Sequence, residues 1–355
     1  MEGVSVKPGR KKIKMLILSV CALCLLMVFM PQLALPIAVL LPLLVCPLVG
    51  QGQASVVFMA VVIPSAASWV AGYDALYAAS LALPVLLPVL VTKKVPLPKQ
   101  AGLEGMLWYI SATAAGLLAV MAGAVYVLGG PLWQMIPDLY TRIVGSSEQA
   151  GLMLYRFAEA GLVPLPQGYE NAQVLQQAFD PAFVQQLLLS TKLMLEKLMF
   201  ELLPSLYVQT CLIVGVFAAL RVQKMNGVVL VLEAQVKGEK KARVAVPPGF
   251  GMLRLPPQAR GPVLLAAVAS LVLMMLDSPL WQIMGQLCYA LFESVFRLVG
   301  AAVVTCVFTA RHPRYKVLFG VVTAAVYVIS PFVLFLIGVM DQTFHFRVKR
   351  SGHPD

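Results

Sequence analysis

From Met15 to Val49 the chain runs 35 residues without a charged side chain. As helix this stretch would be about 52 Å long, well beyond the roughly 30 Å hydrocarbon core of a bilayer. Lipid offers no partner to an open backbone N–H or C=O, so such a run must fold as helix and must break. Pro31-Gln32 is the natural break. Pro36, Pro42 and Pro47 make the part beyond it irregular, because each removes a helix hydrogen bond. Irregular backbone at membrane depth has to be buried in protein or line a cavity.

Composition extends the argument to the whole chain. Of 355 residues, 60% are hydrophobic and 12% charged, about half the charge of a soluble domain, and the mean hydropathy is +0.85. The expected fold is an all-α polytopic membrane protein, a bundle of about eight to nine transmembrane helices with a small cytoplasmic β-hairpin. The net charge of +11 would suggest nucleic acid in a soluble protein. Here it reads as Lys and Arg gathered in cytoplasmic loops, with the lipid bilayer and no nucleic acid as the surroundings. All six cysteines lie in apolar segments. Cys21 and Cys24 read as small buried hydrophobes rather than a metal or redox pair. His312, His345 and His353 are too dispersed to hold a metal, so neither metal nor cofactor is expected.

Residues 1–14, with Lys7, Arg10, Lys11, Lys12 and Lys14, form a basic cytoplasmic N-terminus before an uncleaved first span. Residues 15–128 make a first membrane half of about five spans. Val56–Gly72 and Ala75–Val91 pair as a hairpin turning at Tyr73-Asp74, with Ala78 and Ala82 in small-xxx-small spacing. Lys93, Lys94 and Lys99 mark an inner loop. Leu107–Leu128 carries Ala115, Ala119 and Gly123 as a small face, with Trp108, Tyr109 and Tyr126 as interface anchors.

Residues 129–190 form an acidic outer segment, with Asp138, Glu148, Glu159, Glu170 and Asp180 against Arg142 and Arg156. Short helices on the outer surface or capping the bundle are expected there. Residues 191–340 make a second membrane half of about four spans, including a cytoplasmic loop, 221–261. Its first helix starts at Asp180-Pro181, an N-cap followed by proline, and is expected to run to Arg221 with a bend at Pro204. Lys192 with Glu196 and Lys197 with Glu201 sit four residues apart, and Lys197, Glu201, Ser205 and Gln209 continue as a polar stripe.

The loop holds eight Lys and Arg against Glu233 and Glu239. Val228–Val236 and Ala242–Val246 around Lys237-Gly238-Glu239-Lys240 read as a β-hairpin with a glycine turn. Lys237, Lys240, Lys241 and Arg243 are its candidate contacts to anionic lipid or a cytoplasmic partner, beside the simpler reading of positive-inside charge. Val317–Met340 is long enough to cross once, which gives nine spans and an outer tail, 341–355. That count sets the cluster Arg311, Arg314 and Lys316 on the opposite side from Arg347, Lys349 and Arg350, against the positive-inside rule.

The most unusual stretch is Trp281–Arg311. Gln282, Gln286, Tyr289, Glu293 and Arg297 recur at steps of four, three, four and four, which places all five on one face of a helix. Ionisable groups in membrane segments are costly and usually face a bundle interior or an aqueous cavity. These five are the candidate wall of a binding site for a zwitterionic or charged solute, with Glu201 and Gln209 on a second wall. The competing reading is an internal ion pair that fixes packing. The chain shows no H-E-x-x-H, G-x-S-x-G or phosphate-loop motif and no pair of intramembrane aspartates, so no enzyme is expected.

Leu202-Leu203-Pro204 opens a span toward Arg221, Leu255-Pro256 precedes the next, and Gln286 lies near the outer end of an amphipathic helix. The chain closes with Ile337-Gly338-Val339-Met340-Asp341 leading to Phe344-His345-Phe346-Arg347. In these features residues 190–350 resemble the bacterial YybS-like membrane proteins, a family defined by a domain of unknown function. The resemblance implies a distant relation to the substrate-binding membrane subunits of energy-coupling-factor transporters. The expectation is therefore a bacterial inner-membrane protein with a cytoplasmic N-terminus. It would bind or transport a small molecule through an outward-facing pocket, alone or as a transporter subunit. The alternative is a non-transporting scaffold that recruits a cytoplasmic protein or lipid headgroups through the basic loop.

Overall fold

Prolines and glycines cut the apolar sequence into helices of unequal length in a computed structural model of the chain. The structure describes residues 10–30, 33–96, 103–145, 181–236, 250–311 and 313–344, with isolated positions between 154 and 161. The helices are α1 (Arg10–Phe29), α2 (Ala34–Leu40), α3 (Pro42–Gly50), α4 (Ser55–Val70), α5 (Ala75–Ser80), α6 (Leu83–Lys94), α7 (Leu103–Leu128), α8 (Leu132–Gly145), α9 (Pro181–Val236), α10 (Pro257–Met274), α11 (Pro279–Arg311), α12 (Lys316–Ile329) and α13 (Pro331–Phe344). Two short 3₁₀ turns, Phe250–Met252 and Pro313–Tyr315, precede α10 and α12.

The chain is a helical membrane protein, but nine spans do not emerge. Among the described residues four helices are long and apolar enough to cross a bilayer: Ala75–Lys94, Glu104–Val127, Ala182–Met225 and Pro279–Thr309. The bent pair Val317–Ile329 and Pro331–Phe344 would make a fifth if it counts as one. Hydropathy counts apolar length, whereas proline and glycine decide how much of it is continuous. Met15–Val49 is divided among α1, α2 and α3, and its pieces Ile13–Phe29 and Ala34–Gly50 fall in the 10–17 residue class with Ser55–Val70 and Gln258–Met274.

The expected β-hairpin is also corrected. Val228–Val236 is the last part of α9, which runs unbroken through Pro204 and past Arg221. A helix already nucleated extends at little cost, and the preference of a Val-rich run for strand yields to such context. Ala242–Val246 and Lys237, Lys240, Lys241 and Arg243 lie outside the described residues.

The contacts divide the chain into two units, one of Met1–Gly123 with Tyr207–Asp355 and one of Ala124–Leu206. In the first, α1, α3, α4 and α6 share a core of Val20, Cys24, Met27, Leu41, Val45 and Val85. Tyr109, expected at the interface, is instead wholly buried there. Its hydroxyl lies 2.7 Å from Thr92 Oγ1, which in turn donates to the Pro88 carbonyl at 3.0 Å. Gly123 of the expected face does make a close approach, since a Cβ there would lie 3.2 Å from Ser80 Oγ, but the tighter ones fall on other glycines. A Cβ on Gly116 would come within 2.7 Å of Pro84 Cα, and one on Gly215 within 2.6 Å of Ile110 Cα. Ala115 is exposed instead. Arg221 Nη1 donates to the Leu43 carbonyl at 2.9 Å, joining α9 to α3.

In the second unit, Val144 of α8 packs with Leu154 and with Phe183 and Leu187 of α9. Lys192 binds Asp138 at 2.7 Å, closer than the Glu196 expected from spacing, which stands at 3.8 Å. Trp133 meets Phe200 edge to face.

Candidate functional site

Helix α11 is the hub of the first unit. It begins just after the turn Asp277-Ser278, where Pro279 suits the first position of a helix. Helices α10, α12 and α13 and the turn Phe250–Met252 all pack against it. Gly285 lets Met274 of α10 close in, since a Cβ there would lie 2.8 Å from Met274 Cγ. Ala290 meets Val208 and Leu212 of α9. Phe292 and Phe296 pack against Phe335 of α13. One turn further along, Gly300 crosses Gly338 so closely that a Cβ on either would overlap backbone of the other helix. Only glycine at both positions permits that contact.

The polar stripe lies among these partners. Arg297 Nη2 donates to Glu293 Oε1 within the helix. The side chains are only 13% and 17% exposed, so the pair is largely withdrawn from its surroundings. A withdrawn pair has to offset its own desolvation, and a single bond leaves donors over, because guanidinium carries five N–H groups. Arg297 Nε is buried without a hydrogen-bond partner. Gln286 Oε1 and Ser294 Oγ are buried and unpartnered as well. Tyr327 of α12 stands close enough to feel both charges of the pair. Gln282 is half-buried, while Tyr289 is 47% exposed and open to the outside of the helix group.

The expected residues are thus only partly brought together. Gln286, Glu293 and Arg297 form one buried polar face, with Gln282 and Tyr289 at its edge. Of the second wall, Gln209 is half-buried in the first unit and Glu201 is exposed in the second. Ser294 and Tyr327 were not anticipated. Spacing places Ser294 off the stripe, and Tyr327 reads in sequence as one aromatic in an apolar run. No group of three or more potential metal ligands forms among the described residues.

A groove of about 550 Å³ between α6 and α7 is a different kind of surface. Leu87, Leu90, Val91 and Ala112 line it, and among its side chains Lys94, Trp108 and Ser111 carry polar atoms. Its hydrocarbon walls suit an acyl chain better than a polar solute.

Compared with family models, curated proteins and solved structures, the chain matches none.

Proposed function

We propose that the buried face of α11 binds a small zwitterionic or charged solute within the membrane region. One observation carries the reading: an ion pair in apolar surroundings retains an unused donor at Arg297 Nε, and the same stripe holds an unused acceptor at Gln286 Oε1. Buried polar groups without partners are rare and costly, and a polar solute entering with its water would satisfy them. A carboxylate fits the guanidinium edge, and a cationic group fits the second oxygen of Glu293. The resemblance of the second half to YybS-like proteins points the same way, toward a substrate-binding membrane subunit in a bacterial inner membrane. Glu293 and Arg297 are the recognition groups, with Gln286, Gln282 and Tyr289 along the approach.

A panel of amino acids and betaines, added to the detergent-purified protein in a thermal-shift assay, tests this. At least one should raise the melting temperature in a saturable way. Glu293→Gln should remove the shift, whereas neutralising Lys237 and Arg243 should leave it. No shift with any member of the panel would leave the pair as a packing device. A cytoplasmic protein whose capture fails on neutralising Lys237 and Arg243 would then favour the scaffold reading.

A further inference from the structure

The last two helices do not continue one another. Val317–Ile329 and Pro331–Phe344 are bent by 108° at Ser330. Each arm rises about 20 Å, so at that bend the far ends stand only about 25 Å apart. A hydrocarbon core of about 30 Å exceeds that distance even if the line between the ends lay along the membrane normal.

It does not lie there, because α12 follows α11. Phe319 stacks on Phe308 at 4.9 Å, and Tyr327, two turns further along, stands near enough to the Glu293–Arg297 pair to feel its charges. The helix therefore climbs back along α11 from the end that carries Arg311. Eleven residues separate Phe308 from Arg297, and eleven separate Phe319 from Ser330. The break thus comes level with the ion pair, partway along α11. From there a turn of more than a right angle takes α13 across α11 at the Gly300–Gly338 contact.

The side chains at the break identify its surroundings. Val328 and Ile329 are 79% and 82% exposed, and Phe332 is 63% exposed. Such apolar exposure belongs in hydrocarbon and not at a water-facing turn. The backbone is meanwhile bonded within the turn. Ser330 N–H donates to the Val326 carbonyl at 2.9 Å, Val333 N–H donates to the Ser330 carbonyl at 3.2 Å, and Pro331 has no N–H to satisfy. Broken helices at membrane depth persist where neighbouring protein covers the freed groups, and α11 is that neighbour.

We infer that α12 and α13 form a re-entrant pair. The chain enters the membrane after Lys316, turns at Ser330-Pro331 beside the ion pair, and leaves on the side where it entered. Asp341 is still buried, and the polar residues that follow it, half-buried Gln342 and exposed Thr343, are the exit. Arg311, Arg314 and Lys316 then share one side with Arg347, Lys349 and Arg350, which is the arrangement the positive-inside rule favours. The expected ninth span and oppositely placed tail are replaced by a return. This inference stands whether or not α11 binds a solute.

Single thiols test it in the full chain. Tyr315→Cys and Ser351→Cys are introduced separately, and labelling by a membrane-impermeant maleimide is compared with the parent's own six cysteines as the blank. Sealed vesicles of both orientations are used, and detergent-solubilised protein confirms that each new thiol is reactive. Both thiols should label in the same vesicle orientation and be protected in the other. Labelling of one in each orientation would overturn the inference. Paired reporters at the C-terminus of the unaltered chain, one active only outside the cell and one only inside, provide a second reading free of substitutions. A C-terminal reporter on the face opposite Tyr315→Cys would overturn it equally.

Discussion

Thr92 and Tyr109 show how little latitude a buried polar atom has in this protein. The Thr92 hydroxyl has one proton and gives it to Pro88, so Tyr109 must donate to Thr92. Tyr109→Phe removes a donor and should cost about 0.5–1.5 kcal/mol, whereas Thr92→Val strands a buried phenol and should cost about 1–3 kcal/mol. Midpoints of thermal unfolding in one detergent will rank the two variants, and the reverse order would contradict the assigned donor. The Glu293–Arg297 pair obeys the same asymmetry with greater energies, because its members are charged. Glu293→Leu alone leaves a buried guanidinium unpaired and should destabilise by about 3–5 kcal/mol, while Glu293→Leu with Arg297→Met should recover most of that loss. A double variant no more stable than the single one would show that mutual neutralisation is not what holds the pair in place. The four-residue step from Glu293 to Arg297 made this pair legible in the sequence. Ser294 and Tyr327 were not legible, because their burial depends on which neighbouring helix covers which face, and periodicity within one helix carries no such information.

At the scale of elements, punctuation was easier to read than extent. Pro181 opens α9 where the sequence places a helix start, and at Tyr73-Asp74, where the sequence places a turn, Asp74 accepts from Leu76 N–H at 2.7 Å. Helix ends were harder. Val228-Val229-Leu230-Val231 has no signal that separates strand from helix, since a short apolar run is compatible with either. Packing between elements gives the sharpest prediction at this scale. Gly300→Ala and Gly338→Ala each place a methyl against backbone, and each should cost at least the 1–3 kcal/mol or so typical of overpacking. Gly320→Ala, in the same group of helices but with nothing within 4 Å of the added carbon, should be neutral or gain about 0.5–1 kcal/mol. Thermal unfolding of the three variants beside the parent checks the contrast, and equal effects at Gly300 and Gly320 would refute the close crossing.

For the molecule as a whole, its apolar exterior determines its behaviour. Leu265, Met275, Val317 and Ile329 are each at least 70% exposed and recur on several helices, a surface that water would not tolerate. The chain should therefore stay in the pellet when membranes are washed at alkaline pH and should dissolve only with detergent. Release by the alkaline wash would argue against embedding. Membrane residence was the most legible property of all, because it depends on summed hydropathy and not on any one contact. The number of crossings was the least legible. Proline ends some helices and is passed over in others, as Pro204 is in α9, and the direction a chain takes after Ser330 is set by tertiary contact with α11.

The Gly300–Gly338 crossing also has a genetic consequence. A crowded side chain can usually be relieved by trimming the neighbour it strikes, so a defect at one position is repaired by a change at the other. Here the obstacle on both sides is main chain: the Leu334 carbonyl for Gly300 and the Phe296 carbonyl for Gly338. No second substitution can make a carbonyl smaller. Suppressors of Gly300→Ala should therefore be absent from the facing residues of α13 and should map to positions that let the whole helix shift, first of all the hinge at Ser330.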